Sequence, residues 1–226
     1  MNVLVTGANR GIGLGFVRHY LDAGNVVWAC YRHDTGGLQA LRNSRLHLVQ
    51  WDVREAGDAA FANAAGFPEH FDLLINNAGI YGPGGGAQSL EKVSAETMHE
   101  VFDVDCIGAL RVVQLLWRHM ADSGGIIANI SSKMGSSADN SSGGSYAYRA
   151  AKAALVICSK SMAIDLAPHG IHVITLHPGW VRTDMTNNSG LITVDQSVSG
   201  MAGVIARAAD YEPGAFIAFD GKIVSY

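Results

Sequence analysis

A glycine-punctuated run, Thr6-Gly7-Ala8-Asn9-Arg10-Gly11-Ile12-Gly13, stands between the apolar stretch Val3-Leu4-Val5 and an amphipathic stretch from Leu14 to Leu21. A strand must end there and a helix begin within a few residues. Glycine lets the backbone turn sharply and approach a ligand with no Cβ in the way, and the start of the helix offers unpaired N–H groups and a partial positive charge. The run therefore predicts a phosphate cradle, with the spacing G-x-x-x-G-x-G rather than G-x-G-x-x-G. Many ordinary turns also contain several glycines, so the loop needs support from elsewhere in the chain.

That support comes from Tyr148-Arg149-Ala150-Ala151-Lys152, which opens a long helical pattern of Ala, Leu, Val, Ile and Met. Residues four apart share one helix face. A Tyr hydroxyl beside a Lys ammonium suits proton transfer, because the cation favours the phenolate and lowers the Tyr pKa. Tyr146 is a weaker rival, since the position four residues on is Ala150.

The rest of the chain alternates β-rich runs with helical stretches, the order of a parallel sheet built from βαβ units. Strands are predicted over residues 2–6, 25–31, 46–51, 71–76, 124–131, 170–177 and 215–219, and helices over 11–23, 37–44, 55–65, 94–121, 147–167 and 194–209. Two loops that follow strands, at 81–88 (glycine-rich) and 135–145 (serine-rich), are candidate walls of a substrate cleft. Hydrophobic residues make up 48% of the 226, ample for a sheet covered on both faces, and no linker or repeat divides residues 1–226, so one domain is expected. The net charge of −4, without a basic patch, argues against nucleic acid or an anionic membrane as partner. The first strand starts at Met1 and leaves no room for a signal peptide, and no apolar run reaches the about 18 residues of a membrane span, so a cytoplasmic location is expected. Cys30, Cys106 and Cys158 are scattered and read as reduced core residues. His172 and His177 fall on opposite faces of a strand, which argues against a shared metal.

Three further motifs each follow an apolar strand: Asn76-Asn77-Ala78-Gly79, Ile130-Ser131-Ser132 and His177-Pro178-Gly179. With the glycine run and the Tyr148/Lys152 pair they resemble, in order and spacing, the short-chain dehydrogenase/reductase superfamily, and the resemblance covers nearly the whole chain. Ser142-Gly143-Gly144-Ser145-Tyr146-Ala147-Tyr148-Arg149 and the tail Phe219-Asp220-Gly221 resemble the small carbonyl reductases of the C-factor and sniffer type. The resemblance implies an α/β protein, a single-domain Rossmann-type doubly wound parallel sheet of about seven strands flanked by helices. It also implies an NADP(H)-dependent oxidoreductase that moves hydride between the cofactor and an aldehyde, ketone or secondary alcohol, a small-molecule substrate. Relatives often pair through the helices at 94–121 and 147–167, which makes a homodimer an expectation.

Cofactor choice turns on the end of the second strand, where an acid would bond the ribose of NAD(H) and a base would pair with the extra phosphate of NADP(H). Tyr31 occupies the place of the acid and Arg32 follows it, while Arg10 lies in the glycine loop; NADP(H) is favoured over NAD(H). The resemblance assigns Gly7, Asn9, Arg10, Gly11, Ile12 and Gly13 to the phosphates, and Asp52-Val53 to the adenine ring, although Asp52 also suits a helix N-cap. It assigns Asn77, Ala78 and Gly79 to the adenosine ribose, and Pro178, Gly179, Val181 and Thr183 to the nicotinamide end. Residues 184–194, polar and punctuated by Asn187, Asn188 and Gly190, resemble a substrate lid.

For catalysis the resemblance places Ser132 on the substrate oxygen, with Ser131 as the competing hydroxyl, Tyr148 as proton donor and acceptor, and Lys152 on the nicotinamide ribose. The family's fourth member is an Asn in the context V-N-V-x-G, and this chain reads Val104-Asp105-Cys106-Ile107-Gly108. Asp105 keeps the shape of Asn and adds a charge beside Tyr148 and Lys152. A second reading follows from that charge: a catalytically weak NADP(H)-binding regulator that senses redox state through a partner. The retained Ser132, Tyr148 and Lys152 favour the enzyme.

Overall fold

A computed structural model describes residues 1–57, 67–120 and 124–226. Seven parallel strands form one sheet in the order β3-β2-β1-β4-β5-β6-β7: β1 (Asn2–Val5), β2 (Val26–Tyr31), β3 (Leu46–Gln50), β4 (Leu73–Asn76), β5 (Ile126–Ile130), β6 (His172–His177) and β7 (Phe216–Ala218). Strands buried on both faces can be apolar throughout. That is why Leu73-Leu74-Ile75 and Val3-Leu4-Val5 read as continuous runs rather than alternating ones.

Helices cover the two faces. On one side α1 (Gly11–Asp22) packs beside the last helix of the set, Val194–Ile205, and Phe16, Val17, Leu21, Val198 and Met201 close a core over Val5, Ile75 and Leu176. On the other side the long helix Tyr146–Leu166 and the helix Gly108–Leu116 bury Val112, Leu116, Met162 and Leu166 against Leu4, Leu74 and Ile127. These helices are named in chain order: α2 (Ala95–Phe102), α3 (Gly108–Leu116), α4 (Tyr146–Leu166) and α5 (Val194–Ile205).

Three of the expected helices differ. The stretch at 37–44 forms only a 3₁₀ turn, Gly36–Ala40, because two glycines at its start favour a turn and the backbone is extended by Leu41. The single helix expected at 94–121 is interrupted by a π turn, Asp103–Ile107, that separates α2 from α3 and holds Asp105 inside the protein. The last helix stops at Ile205, and a separate 3₁₀ turn follows at Ala208–Asp210. The helix expected at 55–65 falls largely outside the described residues.

The sheet order reverses direction at β1, whose neighbours are β2 on one side and β4 on the other. In open parallel sheets ligands bind at the carboxyl ends of the strands at such a switch point. The glycine loop leaves β1 at that edge, and Asn77-Ala78-Gly79 leaves β4 beside it.

Candidate active site

The glycine loop is built by close approach. Gly7 has φ +62°, and a Cβ there would lie 2.8 Å from Ala78 Cα; a Cβ on Gly13 would run into the Gly7 carbonyl. Thr6 and Asn77 hold the two strands' ends together. The Thr6 hydroxyl accepts from the N–H groups of Asn77 at 3.0 Å and Ala78 at 3.1 Å, and Asn77 Nδ2 donates to the carbonyls of Thr6 and Gly7. Thr6 is a positioning residue that sequence reasoning passed over, since its partners lie some 70 positions away.

The N-cap residue Arg10 gives the start of α1 no side-chain acceptor, and the first N–H groups of a helix have no intrahelical partner. This is the donor set a pyrophosphate needs, and the cradle that added Cβ atoms would fill fits a dinucleotide. Gly11 faces Thr183, whose Cγ2 would lie 3.6 Å from a Cβ at Gly11, so the segment after β6 comes down onto the loop. Arg10 is exposed and lies 3.7 Å from Asp184. The expected lid is a tight return: Val181 pairs with Ile192, the Leu191 N–H bonds the Trp180 carbonyl, and a 3₁₀ turn spans Asp184–Thr186. Gly179 is packed under Ile192, and the Pro178 carbonyl accepts from Ser197 at 2.6 Å.

Asp52 and Val53 follow β3. The Asp52 carboxylate is held bidentate by Arg54, and this hydrogen bond keeps its pKa below the usual carboxylate range against a smaller opposing effect of burial. Val53 packs in the core against Gly108. Arg32 is exposed just beyond β2, and its carbonyl accepts from Gln50.

The catalytic candidates gather beyond β4 and β5. The Ser131 hydroxyl is fully engaged inward, donating to the Lys152 carbonyl at 2.8 Å. Ser132 Oγ instead accepts the Met134 N–H at 3.2 Å, and its hydroxyl is among the groups that lower the Tyr148 pKa. His177 supports the same turn: its Nδ1 accepts the Lys133 N–H at 3.2 Å, and burial pushes its pKa down to about 4, so the ring stays neutral.

Lys152 is buried under Tyr148, with Nζ 5.7 Å from the ring centroid, 3.1 Å from the Ile130 carbonyl and 3.1 Å from Asp105 Oδ2. Asp105 Oδ1 accepts the Ile80 N–H at 2.7 Å, whereas Oδ2 meets the ammonium as an ion pair rather than a well-directed hydrogen bond. Burial is the largest effect on Lys152 and lowers its pKa, but Asp105, Tyr148 and Cys106 together outweigh it and leave the ammonium above its ordinary range. For Asp105 burial acts first and raises its pKa against the pull of Lys152.

The sequence predicts that Lys152 brings the Tyr148 pKa down, and Lys152 does act in that direction, but it does not set the net shift. Burial of the phenol is the largest effect and raises it; Lys152 lowers it, Asp105 raises it again, and Ser132 lowers it slightly, leaving Tyr148 above the ordinary range. The group is held protonated.

Loops 81–88 and 135–145 meet at the mouth of this cluster. The Tyr81 hydroxyl lies 2.6 Å from Ser145 Oγ, and its ring centroid is 5.0 Å from that of Tyr148. Gln88, absent from the expected site, is buried and ties everything together: Nε2 donates to the Tyr81 and Pro83 carbonyls, and Oε1 accepts the Tyr148 N–H at 3.1 Å. Tyr146 is exposed and contributes only its N–H, to the Gln88 carbonyl. The three cysteines are free, but they are not scattered in space: Cys106 and Cys158 bring their sulfurs to 3.8 Å.

Fold and site together define a dinucleotide-binding α/β protein with a Ser–Tyr–Lys cluster at the same edge of the sheet as its switch point. The family model for short chain dehydrogenases matches residues 1–191, and the chain belongs to that family. It is 38% identical over 157 residues to the C-signal of Myxococcus xanthus, an alignment that covers 69% of this chain and 92% of that protein. Among solved structures, the NADPH-bound carbonyl reductase from chicken fatty liver superposes with a TM-score of 0.88 at 34% identity, covering 100% of this chain and 98% of that one. The carbonyl reductase Sniffer of D. melanogaster superposes with a TM-score of 0.91 at 28% identity, covering 100% and 99%. Among the described residues no helix is long and apolar enough to cross a membrane.

Proposed function

We propose that this protein is an NADPH-dependent carbonyl reductase in which Ser132, Tyr148 and Lys152 carry the chemistry and Asp105 sets their charge. The observation that carries this reading is the buried Tyr148, underlain by the Lys152 ammonium 5.7 Å from its ring centroid, at the edge of the sheet where the glycine loop lies. The NADPH-bound carbonyl reductase among its structural relatives supports the same cofactor. The glycine loop and the open N-terminus of α1 would hold the pyrophosphate, and Arg10 and Arg32 the additional phosphate. The cofactor supplies the hydride.

The protein's own part is proton delivery and polarisation. Ser132 donates to the substrate oxygen. Tyr148, held protonated, gives its proton to the alkoxide as charge develops there. Lys152 stabilises the resulting phenolate at short range, and Asp105 keeps that ammonium charged. Reduction is the favoured direction, since a phenol above its ordinary pKa is a ready donor and a poor base. The same reading covers one domain over residues 1–226, a small-molecule aldehyde or ketone as substrate, a cytoplasmic location, and pairing of two copies through the helical stretches at 94–121 and 147–167, the second of which exposes Ile157 and Ile164.

The test is a panel of aldehydes and ketones screened by the loss of NADPH absorbance, with wild type and Tyr148→Phe side by side. Wild type is expected to turn over at least one class of carbonyl, and Tyr148→Phe to lose turnover while NADPH binding stays nearly intact. Turnover in Tyr148→Phe close to wild type would refute the assignment of the proton donor. Tight NADPH binding with no turnover across the panel would favour the regulatory reading.

A further inference from the structure

Cys106 belongs to the π turn and directly follows Asp105; Cys158 lies on α4, the helix that carries Tyr148 and Lys152. Their sulfurs stand 3.8 Å apart although the residues are 52 positions apart in the chain. From that contact the two sulfurs need to close by only about 1.8 Å to reach bonding distance. Cys106 is buried, whereas Cys158 is half-buried and is the sulfur a small oxidant meets first.

We propose that Cys106 and Cys158 are a redox-sensitive pair that peroxide joins into a disulfide, and that closing it displaces Asp105 from Lys152 and slows the enzyme. The Cys158 thiolate attacks the O–O bond of the peroxide: an S–O bond forms, the O–O bond breaks, and hydroxide departs as water. The Cys106 sulfur then attacks the sulfenic sulfur, the S–S bond forms, the S–O bond breaks, and the Cys106 proton leaves with the second hydroxide as water. Two thiols are oxidised and one peroxide is reduced to two waters; a dithiol reverses the change. Burial first, and then the neighbouring Cys158, push the Cys106 thiol up to about 12, so it waits protonated until its partner has been oxidised.

The π turn is the softer of the two elements to be drawn together. Its hydrogen-bond pattern is a local irregularity, whereas α4 is a regular helix of 21 residues. Asp105 moves with Cys106, and its contacts of 2.7 Å to the Ile80 N–H and 3.1 Å to Lys152 Nζ leave little slack. A misplacement of about 1 Å at a reacting group can slow a reaction by two orders of magnitude, so a loss of about tenfold or more is expected.

The test uses the purified full-length chain, reduced, treated with hydrogen peroxide, blocked by alkylation and mapped by peptide mass spectrometry without reduction. The expected result is a peptide joining Cys106 to Cys158 with Cys30 still alkylated after denaturation, a fall in carbonyl reduction of about tenfold, and recovery on adding dithiothreitol. Cys158→Ser should match the reduced wild type and lose its response to peroxide. The loss of rate rests on the reductase reading above; the cross-link does not. A second readout needs no substrate: the ionisation of Tyr148, taken as the tyrosinate absorbance difference between wild type and Tyr148→Phe, should move on oxidation because the Asp105 charge has moved. Failure to form this bond, a bond between two chains in its place, or a Cys106–Cys158 bond that leaves the Tyr148 titration unmoved overturns the proposal. A titration that moves in a protein that turns over no carbonyl upholds the switch and removes the reductase reading instead.

Discussion

Asp105→Asn removes one charge and little else. Asn has the same shape, and its Oδ1 can still accept the Ile80 N–H that Asp105 accepts at 2.7 Å. The carboxylate lies 3.1 Å from Lys152 Nζ, which at an effective dielectric near 20 corresponds to about 5 kcal/mol of attraction, most of it opposed by the desolvation of both groups. That Nζ lies 5.7 Å from the Tyr148 ring centroid, so Oδ2 is within about 9 Å of the ring and disfavours the phenolate by about 2 kcal/mol. Lifting that repulsion raises the phenolate population about 20- to 30-fold wherever the phenol form dominates. Alcohol oxidation needs the phenolate as base. Its rate near neutral pH should therefore rise by up to this factor in Asp105→Asn, and its pH profile should move to lower pH. Carbonyl reduction near neutral pH should change little, because Asn stays in place on the Ile80 N–H and keeps the site's geometry, unlike a displaced Asp105, and Tyr148 is protonated in both proteins. The assay follows NADPH appearance with a secondary alcohol, and NADPH loss with the matching ketone, across a pH series. Superimposable oxidation profiles for the two proteins would show that the Asp105 charge does not reach the proton relay.

His177 should make the fold sensitive to mild acid. Its folded pKa of about 4 lies below its ordinary value near 6.5, so the unfolded chain binds the extra proton and stability falls as pH drops through that window, by at most about 3 kcal/mol. His177→Asn, which can still accept the Lys133 N–H, should flatten this dependence in urea unfolding curves at neutral pH and near pH 5, and equal slopes would count against it. Gly13→Ala puts a methyl group into the Gly7 carbonyl and should weaken NADPH binding by at least about tenfold, at a stability cost of about 1–3 kcal/mol, measured by cofactor titration and melting. Arg32→Ala should weaken NADPH by about ten- to a hundredfold and leave NADH unchanged; equal losses for both cofactors would dissociate Arg32 from the extra phosphate.

Features that depend on neighbours along the chain were legible in the sequence. Apolar or β-rich runs marked all seven strands to within about two residues, and those buried on both faces, such as Val3-Leu4-Val5 and Leu73-Leu74-Ile75, need an unbroken apolar run. Likewise the spacing of Tyr148 and Lys152 put both on one helix face, since the helix repeat requires it. The fold itself governs the matters that turn on residues distant in sequence: that the Ser131 hydroxyl is consumed by the Lys152 carbonyl while Ser132 accepts the Met134 N–H, that Gln88 and Thr6 brace the two loops of the site, and that Cys106 lies against Cys158. It also decided the sign of the Tyr148 shift. Spacing reveals the nearby ammonium but not the depth of burial, and here the loss of water around the phenol outweighs the cation beneath it.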